Sequence, residues 1–429
     1  MINITRLYCG IGTSGDALRY GKYGKASEGV REKPFHASKS VEERKPIVVW
    51  NGTRRCNLKC IHCYADSDNI EYPNELTTAE AQALIRDLGE FGAPVFLFSG
   101  GEPLIREDIY ENAILCKEVG IRPVISTNGT LITERVAQRI KEVDFGYVGI
   151  SLDGINERND FFRGKKGAFE AAMRGFDNCV AVGQKVGLRL TLTRHNYEDL
   201  NGIFDFIEEH KINRACFYHL VYTGRGSDMQ KDDLTHEESR KAVDLIIDRT
   251  ADMQRRGLDV DILTVDNHCD GPYLYMRMLR EGNPRAEEVM KLLKWNGGNS
   301  SGVGIADVDN EGNVHADQFW WYHSFGNVRE RKFSEIWMDT SDPLMAGLKN
   351  RKPLLKGRCA TCKWLDICNA NFRVRAEAVY GDVWAPDPAC YLTQDEITGL
   401  AVDQFTSLPV DRLNSLPASD RRVDEPNKQ

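Results

Sequence analysis

The sequence predicts an α/β protein, in which a partial (β/α)6 TIM-like barrel is followed by a small α+β domain. Its 429 residues are enough for two or three domains. From residue 46 onward, short β-branched and aromatic runs alternate with longer stretches of helical spacing, which is typical of βα units on a parallel sheet. After residue 295 this alternation stops, and a hairpin pattern and a cysteine-rich loop region follow.

Six strands are predicted in the barrel. They are PIVVW (46–50), VFLFS (95–99), RPVIS (122–126), YVGIS (147–151), GLRLTLT (187–193) and RACFYHL (214–220). Five stretches of helical spacing lie between these strands, and each ends near a glycine or a polar residue that can stop a helix. They are TAEAQALIRDLGEF, EDIYENAILCKEVG, TERVAQRIKEV, GAFEAAMRGFDNCVAVG and EDLNGIFDFIEEHK.

These patterns divide the chain into five segments. Residues 1–45 are predicted to form an N-terminal arm or cap, or equally a partly disordered arm, and residues 46–225 the barrel. Residues 226–295 are predicted to be a mainly helical connection, which Asn-Pro at 283–284 interrupts. Residues 296–400 form the second domain, with a hairpin that turns at 310–313. Residues 401–429, rich in proline and charge, are predicted to be a disordered tail.

The composition excludes several classes of protein. With 56 basic and 64 acidic side chains the net charge is −8, the wrong sign for a protein that binds nucleic acid over its whole surface. No apolar run approaches the roughly 18 residues of a membrane span, and the N-terminus does not resemble a secretion signal. We therefore expect a cytoplasmic protein without nucleic-acid or membrane partners.

Three cysteines directly follow the first predicted strand. Cys56, Cys60 and Cys63 form a Cys-x3-Cys-x2-Cys triplet, placed where the catalytic groups of βα barrels collect. In a reducing compartment, twelve cysteines favour metal or cluster ligation over disulfides. A zinc site normally has four protein ligands, whereas three thiolates on a [4Fe-4S] cluster leave one iron open to an exogenous chelating molecule.

A second set of cysteines lies in the C-terminal region: Cys359, Cys362, Cys368 and Cys390. Four thiolates can close a [4Fe-4S] cluster fully, and the alternative is a zinc knuckle. The other cysteines are predicted to be small core residues, although Cys9 and Cys269 lie in less regular sequence and stay open. Four histidines are candidates for a cleft, but a lone histidine is more often a hydrogen-bonded structural residue. They are His219, His268, His315 and His323.

The segment CNLKCIHC resembles the signature of the radical S-adenosylmethionine (SAM) superfamily. Four further segments support the resemblance in the right order after successive strands: SGGEP (99–103), STNG (126–129), SLDG (151–154) and TLTRHN (191–196). The resemblance implies that the triplet holds a [4Fe-4S] cluster, whose open iron SAM chelates. The implied SAM contacts are Gly100, Gly101, Glu102 and Pro103 for the methionine moiety, Ser126, Asn128, Ser151 and Asp153 for polar groups, and Arg189 or Thr191 for the carboxylate or adenosine. Each is alternatively a turn or strand-end residue.

The C-terminal region resembles the SPASM/twitch extension of the same superfamily. GNVRERKFSEIW (326–337), GRCATCKWLDIC and GDVWAPDPAC carry this resemblance. Ser300, Ser301, Gly302, Ala316 and Asp317 stand where full SPASM proteins have cysteines around the hairpin. The resemblance therefore implies one auxiliary [4Fe-4S] cluster, held by Cys359, Cys362, Cys368 and Cys390, and two clusters in all.

The segments LYCG, LRYG, FLFSGGEPLIR and ISTNGTLIT are similar to the tetrapyrrole-modifying branch of the superfamily. This resemblance implies removal of two acetate side chains from 12,18-didecarboxysiroheme, giving Fe-coproporphyrin III, with a flavodoxin or ferredoxin as reductant. Alternatives within the branch are propionate removal in haem d1 synthesis and propionate decarboxylation to haem. Two alternatives from other classes of protein are a peptide-modifying SPASM maturase and a non-enzymatic iron–sulfur electron carrier or zinc-binding scaffold.

A tetrapyrrole with several carboxylates needs cationic partners in the cleft, since guanidinium groups bind carboxylates bidentately. The candidates are Arg163, Arg194, Arg225, Arg373 and Arg375, each of which is alternatively a surface or salt-bridged arginine.

Overall fold

The computed structural model of the chain describes residues 1–13, 16–20 and 45–399. The predicted tail and most of the predicted arm lie outside these residues. No helix in the described ranges is long and apolar enough to cross a membrane.

Ten strands in the described residues form one sheet. They are β1 (Ile2–Asn3), β2 (Ile47–Thr53), β3 (Val95–Gly100), β4 (Arg122–Thr127), β5 (Val148–Ser151), β6 (Val186–Leu192), β7 (Arg214–His219), β8 (Asp261–Val265), β9 (Ile305–Val308) and β10 (Val314–His315). The strand order is β1-β8-β7-β6-β5-β4-β3-β2-β9-β10. From β8 to β9 all neighbours are parallel, and only β1 and β10, at the two edges, pair antiparallel.

The described residues also form helices, and each of the five helical stretches predicted between the barrel strands is confirmed. The helices are α1 (Ile4–Leu7), α2 (Asp16–Tyr20), α3 (Thr78–Phe91), α4 (Ile109–Glu118), α5 (Glu134–Val143), α6 (Glu157–Arg163), α7 (Ala168–Ala181), α8 (Leu200–Glu209), α9 (His236–Arg255), α10 (Asp270–Arg280), α11 (Ala286–Asn296), α12 (Phe333–Met338), α13 (Pro343–Lys349), α14 (Gly357–Ala360), α15 (Leu365–Cys368), α16 (Arg373–Tyr380) and α17 (Gln394–Thr398). Local sequence sets their starts. At α3, for example, Thr77 accepts a hydrogen bond from the backbone of Glu80, whose side chain returns one to Thr77, so a capping box begins the helix.

All six predicted strands are confirmed, and the region 226–295, predicted to be mainly helical, also contains a strand that was not predicted. β8 lies within that region and pairs in parallel with β7, which adds a seventh consecutive parallel strand. Its sequence, DILTV, is a short apolar run, and periodicity alone does not distinguish such a run from a piece of buried helix. The first residues of the predicted arm also join the sheet, since β1 pairs with β8.

The predicted hairpin is confirmed and attaches the C-terminal region to the barrel. β9 and β10 pair antiparallel, and the Asp309 carboxylate accepts hydrogen bonds from the backbone of Glu311 and Asn313 in the turn between them. β9 also pairs in parallel with β2, with Val49 opposite Asp307. The second region therefore continues the sheet of the first.

Candidate active site

The three cysteines after β2 are held by backbone and side-chain donors that point at their sulfur atoms. The backbone N–H of Leu58 donates to Cys56 Sγ at 3.4 Å, and that of Ser67 to Cys63 Sγ at 3.5 Å. Hydrogen bonds to sulfur stabilise negative charge there. The loop is thus shaped for three sulfur atoms that carry charge.

Two side chains, one directly after β4 and one at the end of α6, complete this set of donors. Asn128 Nδ2 lies 3.8 Å from Cys56 Sγ, and Arg163 Nη1 lies 3.6 Å from Cys60 Sγ. Arg163 is buried, and its guanidinium also forms an ion pair with Asp153. The site therefore brings a full positive charge to the cysteines, next to a carboxylate that fixes its position.

Asp153 connects three segments of the site. Besides Arg163, its carboxylate contacts His62 Nε2 at 3.1 Å and accepts the backbone N–H of Thr191 at 2.7 Å. Although burial opposes ionisation, Arg163 and His62 hold the pKa of Asp153 well below its usual range. This ionised group ties the cysteine loop to the ends of β5 and β6.

The donor set fits an iron–sulfur cluster. Burial raises the pKa of Cys56 to about 12, so this thiol is protonated at neutral pH unless a bound metal displaces the proton. Among the described residues, no group of three or more His, Cys, Asp or Glu side chains is close enough to hold a single metal ion. A [4Fe-4S] cluster uses wider spacing, because each thiolate binds a different iron atom.

Gly100 and Gly101 at the end of β3 approach the cysteine loop more closely than any side chain would permit. A Cβ on Gly101 would overlap the carbonyl oxygen of Arg55, and one on Gly100 that of Thr53. Gly100 also has a φ of +121°, a conformation that favours glycine. This close approach packs the end of β3 against the cysteine loop, at the wall of the cavity beside the cysteines.

Glu102 has a different position from its glycine neighbours. Its carboxylate is fully buried and accepts hydrogen bonds from Thr127 Oγ1 at 2.7 Å, the backbone N–H of Asn128 at 2.8 Å and that of Leu104 at 3.1 Å. Burial raises its pKa to about 6. Glu102 therefore joins the ends of β3 and β4 from within the protein.

A first cavity at the carboxyl ends of the strands brings most of the predicted SAM contacts together with the cysteines. Neither Glu102 nor Pro103 lines it. The predicted residues that line it are Cys56, Cys60, Cys63, Gly100, Gly101, Ser126, Asn128, Ser151, Asp153, Arg189 and Thr191.

The four C-terminal cysteines surround a small pocket of their own. Cys359, Cys362, Cys368 and Cys390 all line it, and the backbone N–H of Trp364 donates to Cys362 Sγ at 3.4 Å. Cys269, whose role the sequence analysis left undecided, is fully buried, and its thiol donates a hydrogen bond to Asn267 Oδ1 at 3.0 Å. Four converging thiols with a donor at one sulfur fit the predicted auxiliary cluster.

Of the five arginines predicted to bind substrate carboxylates, only Arg163 lines the first cavity. Arg194 pairs with Glu238 at the surface, and Arg225 donates to the backbone oxygen of Cys60 and pairs with Asp66. Arg373 donates to the backbone oxygens of Ala370, Val383 and Ala385, and Arg375 pairs with Asp387 and donates to the backbone oxygen of Leu220. These four side chains thus hold segments of the protein together.

A second cavity, which the sequence analysis did not predict, adjoins the first. Its volume is about 360 Å³, against about 170 Å³ for the first. The two cavities share six lining residues, which are Val49, Leu97, Arg189, Tyr218, Asp266 and Gln318. A molecule in the second cavity therefore lies next to one in the first.

Cations dominate the charged lining of this second cavity. Five basic side chains line it against two acidic ones, Asp266 and Asp317. The basic residues are Arg19, Lys45, Arg122, Arg189 and Arg214. Burial raises the pKa of each of the two aspartates to about 6. One signal was present in the sequence, because Arg122 and Arg214 are the first residues of β4 and β7.

Comparison with known proteins identifies the family. The family model of the radical SAM superfamily matches residues 50–207. The Fe-coproporphyrin III synthase of Methanosarcina barkeri is 61% identical over 400 residues, which cover 92% of this chain and 99% of the relative. The chain belongs to the radical SAM superfamily. As a member it uses SAM and a [4Fe-4S] cluster.

Two further comparisons concern a second relative and a solved structure. The pre-heme d1 synthase of Dinoroseobacter shibae is 42% identical over 360 residues, covering 83% of this chain and 88% of the relative. The crystal structure of Streptococcus suis SuiB bound to S-adenosylmethionine has a TM-score of 0.63 at 20% identity and covers 81% of this chain and 77% of SuiB. The similarity to SuiB confirms the fold.

Proposed function

We propose that this radical SAM protein removes two acetate side chains from 12,18-didecarboxysiroheme and thereby forms Fe-coproporphyrin III. The observation that carries the proposal is the 61% identity to a Fe-coproporphyrin III synthase over 99% of that protein, compared with 42% over 88% of a pre-heme d1 synthase. A likeness over the whole length covers the barrel and the C-terminal region, both of which line the second cavity.

The first cavity is the proposed site of SAM and its cluster. Cys56, Cys60 and Cys63 would hold the cluster, and Gly100 and Gly101 offer close backbone contact to the methionine end of SAM. The bound cluster and SAM together supply a 5′-deoxyadenosyl radical that takes a hydrogen atom from the substrate. The surrounding protein keeps the cofactor oriented and excludes water.

The second cavity is the proposed site of the tetrapyrrole. Its basic side chains outnumber its acidic ones, which suits a substrate with several carboxylate groups, although Arg19 already pairs with Asp16 and Arg214 with Asp261. Arg189 is the most direct candidate, because it lines both cavities and its guanidinium stacks on Tyr218, 4.8 Å from the ring centre. Among the described residues, no carboxylate pairs with Arg189. Substrate bound there would lie beside the SAM site.

The C-terminal cysteines are the proposed ligands of an auxiliary [4Fe-4S] cluster, with a flavodoxin or ferredoxin as the external reductant. Iron counting on anaerobically purified protein should then give roughly eight iron atoms per chain. Cys359→Ala should bring this to roughly four. If Cys359→Ala keeps full activity, the auxiliary cluster does not transfer electrons in the reaction.

The decisive experiment for the reaction is anaerobic incubation with SAM, reductant and 12,18-didecarboxysiroheme, followed by mass analysis of the pigment. Loss of two acetate groups and formation of 5′-deoxyadenosine support the proposal, whereas loss of propionate or of carbon dioxide alone contradicts it. Cys56→Ala should abolish both products. Cys116→Ala is the matched control, because Cys116 is buried in α4 away from both cavities.

A further inference from the structure

His268 is a buried histidine that the site described so far leaves without a role. It follows the end of β8, is 6% exposed and lines the second cavity. Its backbone N–H donates to Asn371 Oδ1 at 2.7 Å, and its ring lies 5.7 Å from that of Phe372, another residue of the cavity wall. The imidazole is thus fixed between β8 and the C-terminal region.

The partners of His268 differ from those of the other histidines in the interior. His62, His219 and His315 each have a carboxylate oxygen within 3.2 Å of Nε2, from Asp153, Asp270 and Asp309 respectively. No carboxylate within the described ranges contacts His268 in this way. Its Nδ1 is buried and has no hydrogen-bond partner.

The Nε2 atom of His268 makes a weak contact with another residue that lines the second cavity. The amino group of Met1, which also lines the second cavity, lies 3.3 Å from Nε2. This distance is longer than that of a charge-assisted hydrogen bond, for which about 2.7–2.9 Å is usual. The lone pair of Nε2 is therefore available to a metal ion, which accepts an electron pair more strongly than the amino group of Met1 does.

The electrostatic surroundings keep this imidazole neutral. Burial, together with the amino group of Met1 and Arg375, lowers the pKa of His268 well below its usual value. A neutral imidazole is the form that binds iron. The basic side chains that line the cavity attract carboxylates, and the neutral imidazole can bind a metal ion. Together they suit a molecule with carboxylates at its edge and a metal ion at its centre.

We infer that Nε2 of His268 is an axial ligand to the iron of the tetrapyrrole substrate. The inference rests on the proposed function, since it requires an iron tetrapyrrole in the second cavity. Coordination from β8 would hold the macrocycle at a fixed distance from this strand, with Phe372 beside the ligand. The arginines of the cavity would then bind the carboxylates at the edge of the ring.

The test uses two probes with the full-length, cluster-loaded protein and no SAM. Ferric Fe-coproporphyrin III reports on coordination through its absorbance and electron paramagnetic resonance spectra, and metal-free coproporphyrin III reports on the cavity alone. The native protein should bind both and shift the iron spectra to those of an imidazole complex. His268→Gln should lose the imidazole signature and bind the iron compound at least about tenfold more weakly. Its affinity for the metal-free compound should change less than about twofold.

Two controls separate the possible outcomes. His323→Ala removes a histidine that pairs with Asp342 outside both cavities, and should leave the spectra unchanged. Added imidazole should restore the signature in His268→Gln. If neither compound binds the native protein, the proposed tetrapyrrole function fails. If both bind and His268→Gln keeps the native iron spectrum, the ligand assignment is overturned and the proposed function stands.

Discussion

Arg163 is the one described side chain that brings a full positive charge to a cysteine of the triplet. It contacts Cys60 Sγ and pairs with Asp153. Arg163→Gln removes this positive charge. Because the loss of a positive charge favours the oxidised cluster, the midpoint potential of the cluster should become about 60 mV more negative. A charge-assisted hydrogen bond contributes roughly 1.5 kcal/mol, and 59 mV corresponds to about 1.4 kcal/mol for one electron. A redox titration followed by electron paramagnetic resonance measures this change.

The control for this substitution is Arg194→Gln. Arg194 pairs with Glu238 at the surface and lines neither cavity, so the potential should stay the same. Equal potentials in Arg163→Gln and the native protein would show that the guanidinium does not act on the cluster.

Asp266 is a buried carboxyl group whose ionisation lowers the stability of the folded chain. It is 7% exposed, lines both cavities and has a φ of +64°. Burial raises its pKa to about 6, and the charged groups around it are the Met1 amino group, Arg189, Arg375 and Asp317. The ionised form is therefore less favourable in the folded chain than in the unfolded chain at neutral pH.

Asp266→Asn should raise the free energy of unfolding. The raised pKa predicts a gain of about 2–3 kcal/mol above roughly pH 7, since one pKa unit corresponds to about 1.4 kcal/mol. Asparagine also tolerates the left-handed backbone conformation. The gain should disappear below about pH 4, where the native carboxyl is protonated in both states. Denaturant unfolding of the cluster-free protein at pH 8 and pH 4 tests this, and a less stable variant at pH 8 contradicts it.

The motifs in the sequence predicted one side of the active site and missed the other. Cys56 follows β2, and Ser126 and Ser151 lie at the carboxyl ends of β4 and β5, so their convergence follows from the parallel order of the strands alone. Lys45, Arg122 and Arg214 come from separate strand starts, and Arg19 from α2. The parallel order of the strands also places the strand starts at one edge, but no motif marks these basic residues as part of a site, and the position of Arg19 depends on how α2 packs.

The turn after β3 depends on its two glycines. Gly101→Ala would force the Cβ against the backbone oxygen of Arg55, and backbone atoms cannot move aside as a flexible side chain can. We expect SAM binding to weaken at least about tenfold, since small displacements in a positioned site are costly. Equilibrium dialysis with SAM measures the affinity.

Gly202→Ala is the matched control for this substitution. Gly202 lies in α8, where a Cβ would meet open space. Alanine should increase stability there by roughly 0.5–1 kcal/mol without changing SAM affinity. If both alanine variants bind SAM like the native protein, the close approach of β3 to the cysteine loop is not required.

At the scale of elements, the sequence predicted strands β2 to β7 and the hairpin of β9 and β10, but it did not predict the pairing between strands that lie far apart along the chain. β2 to β7 have strong β-branched and aromatic patterns. β9 has only four residues, and its place beside β2 depends on a contact between segments about 250 residues apart. Such pairing is a property of the folded sheet and not of the local sequence.

Arg375 connects the C-terminal region to the barrel. Its guanidinium is fully buried, pairs with Asp387 and donates at 3.0 Å to the backbone oxygen of Leu220, which follows β7. Arg375→Leu leaves the Asp387 carboxylate buried without its cation, which should lower the free energy of unfolding by about 3–5 kcal/mol. Denaturant unfolding measures this loss.

Arg194→Leu is the matched control for Arg375→Leu, because Arg194 lies at the surface. Its ion pair with Glu238 is partly exposed, so its loss should change stability by less than about 1 kcal/mol. Equal effects of the two substitutions would show that Arg375 does not hold the two regions together.

The six residues shared by both cavities form a partition that belongs to two compartments at once. A substitution at Tyr218 or Gln318, for example, changes the walls of both compartments. Kinetic defects in such variants therefore combine two affinities, and an altered rate does not identify the compartment responsible. Separate titrations with each ligand are the way to assign the effect.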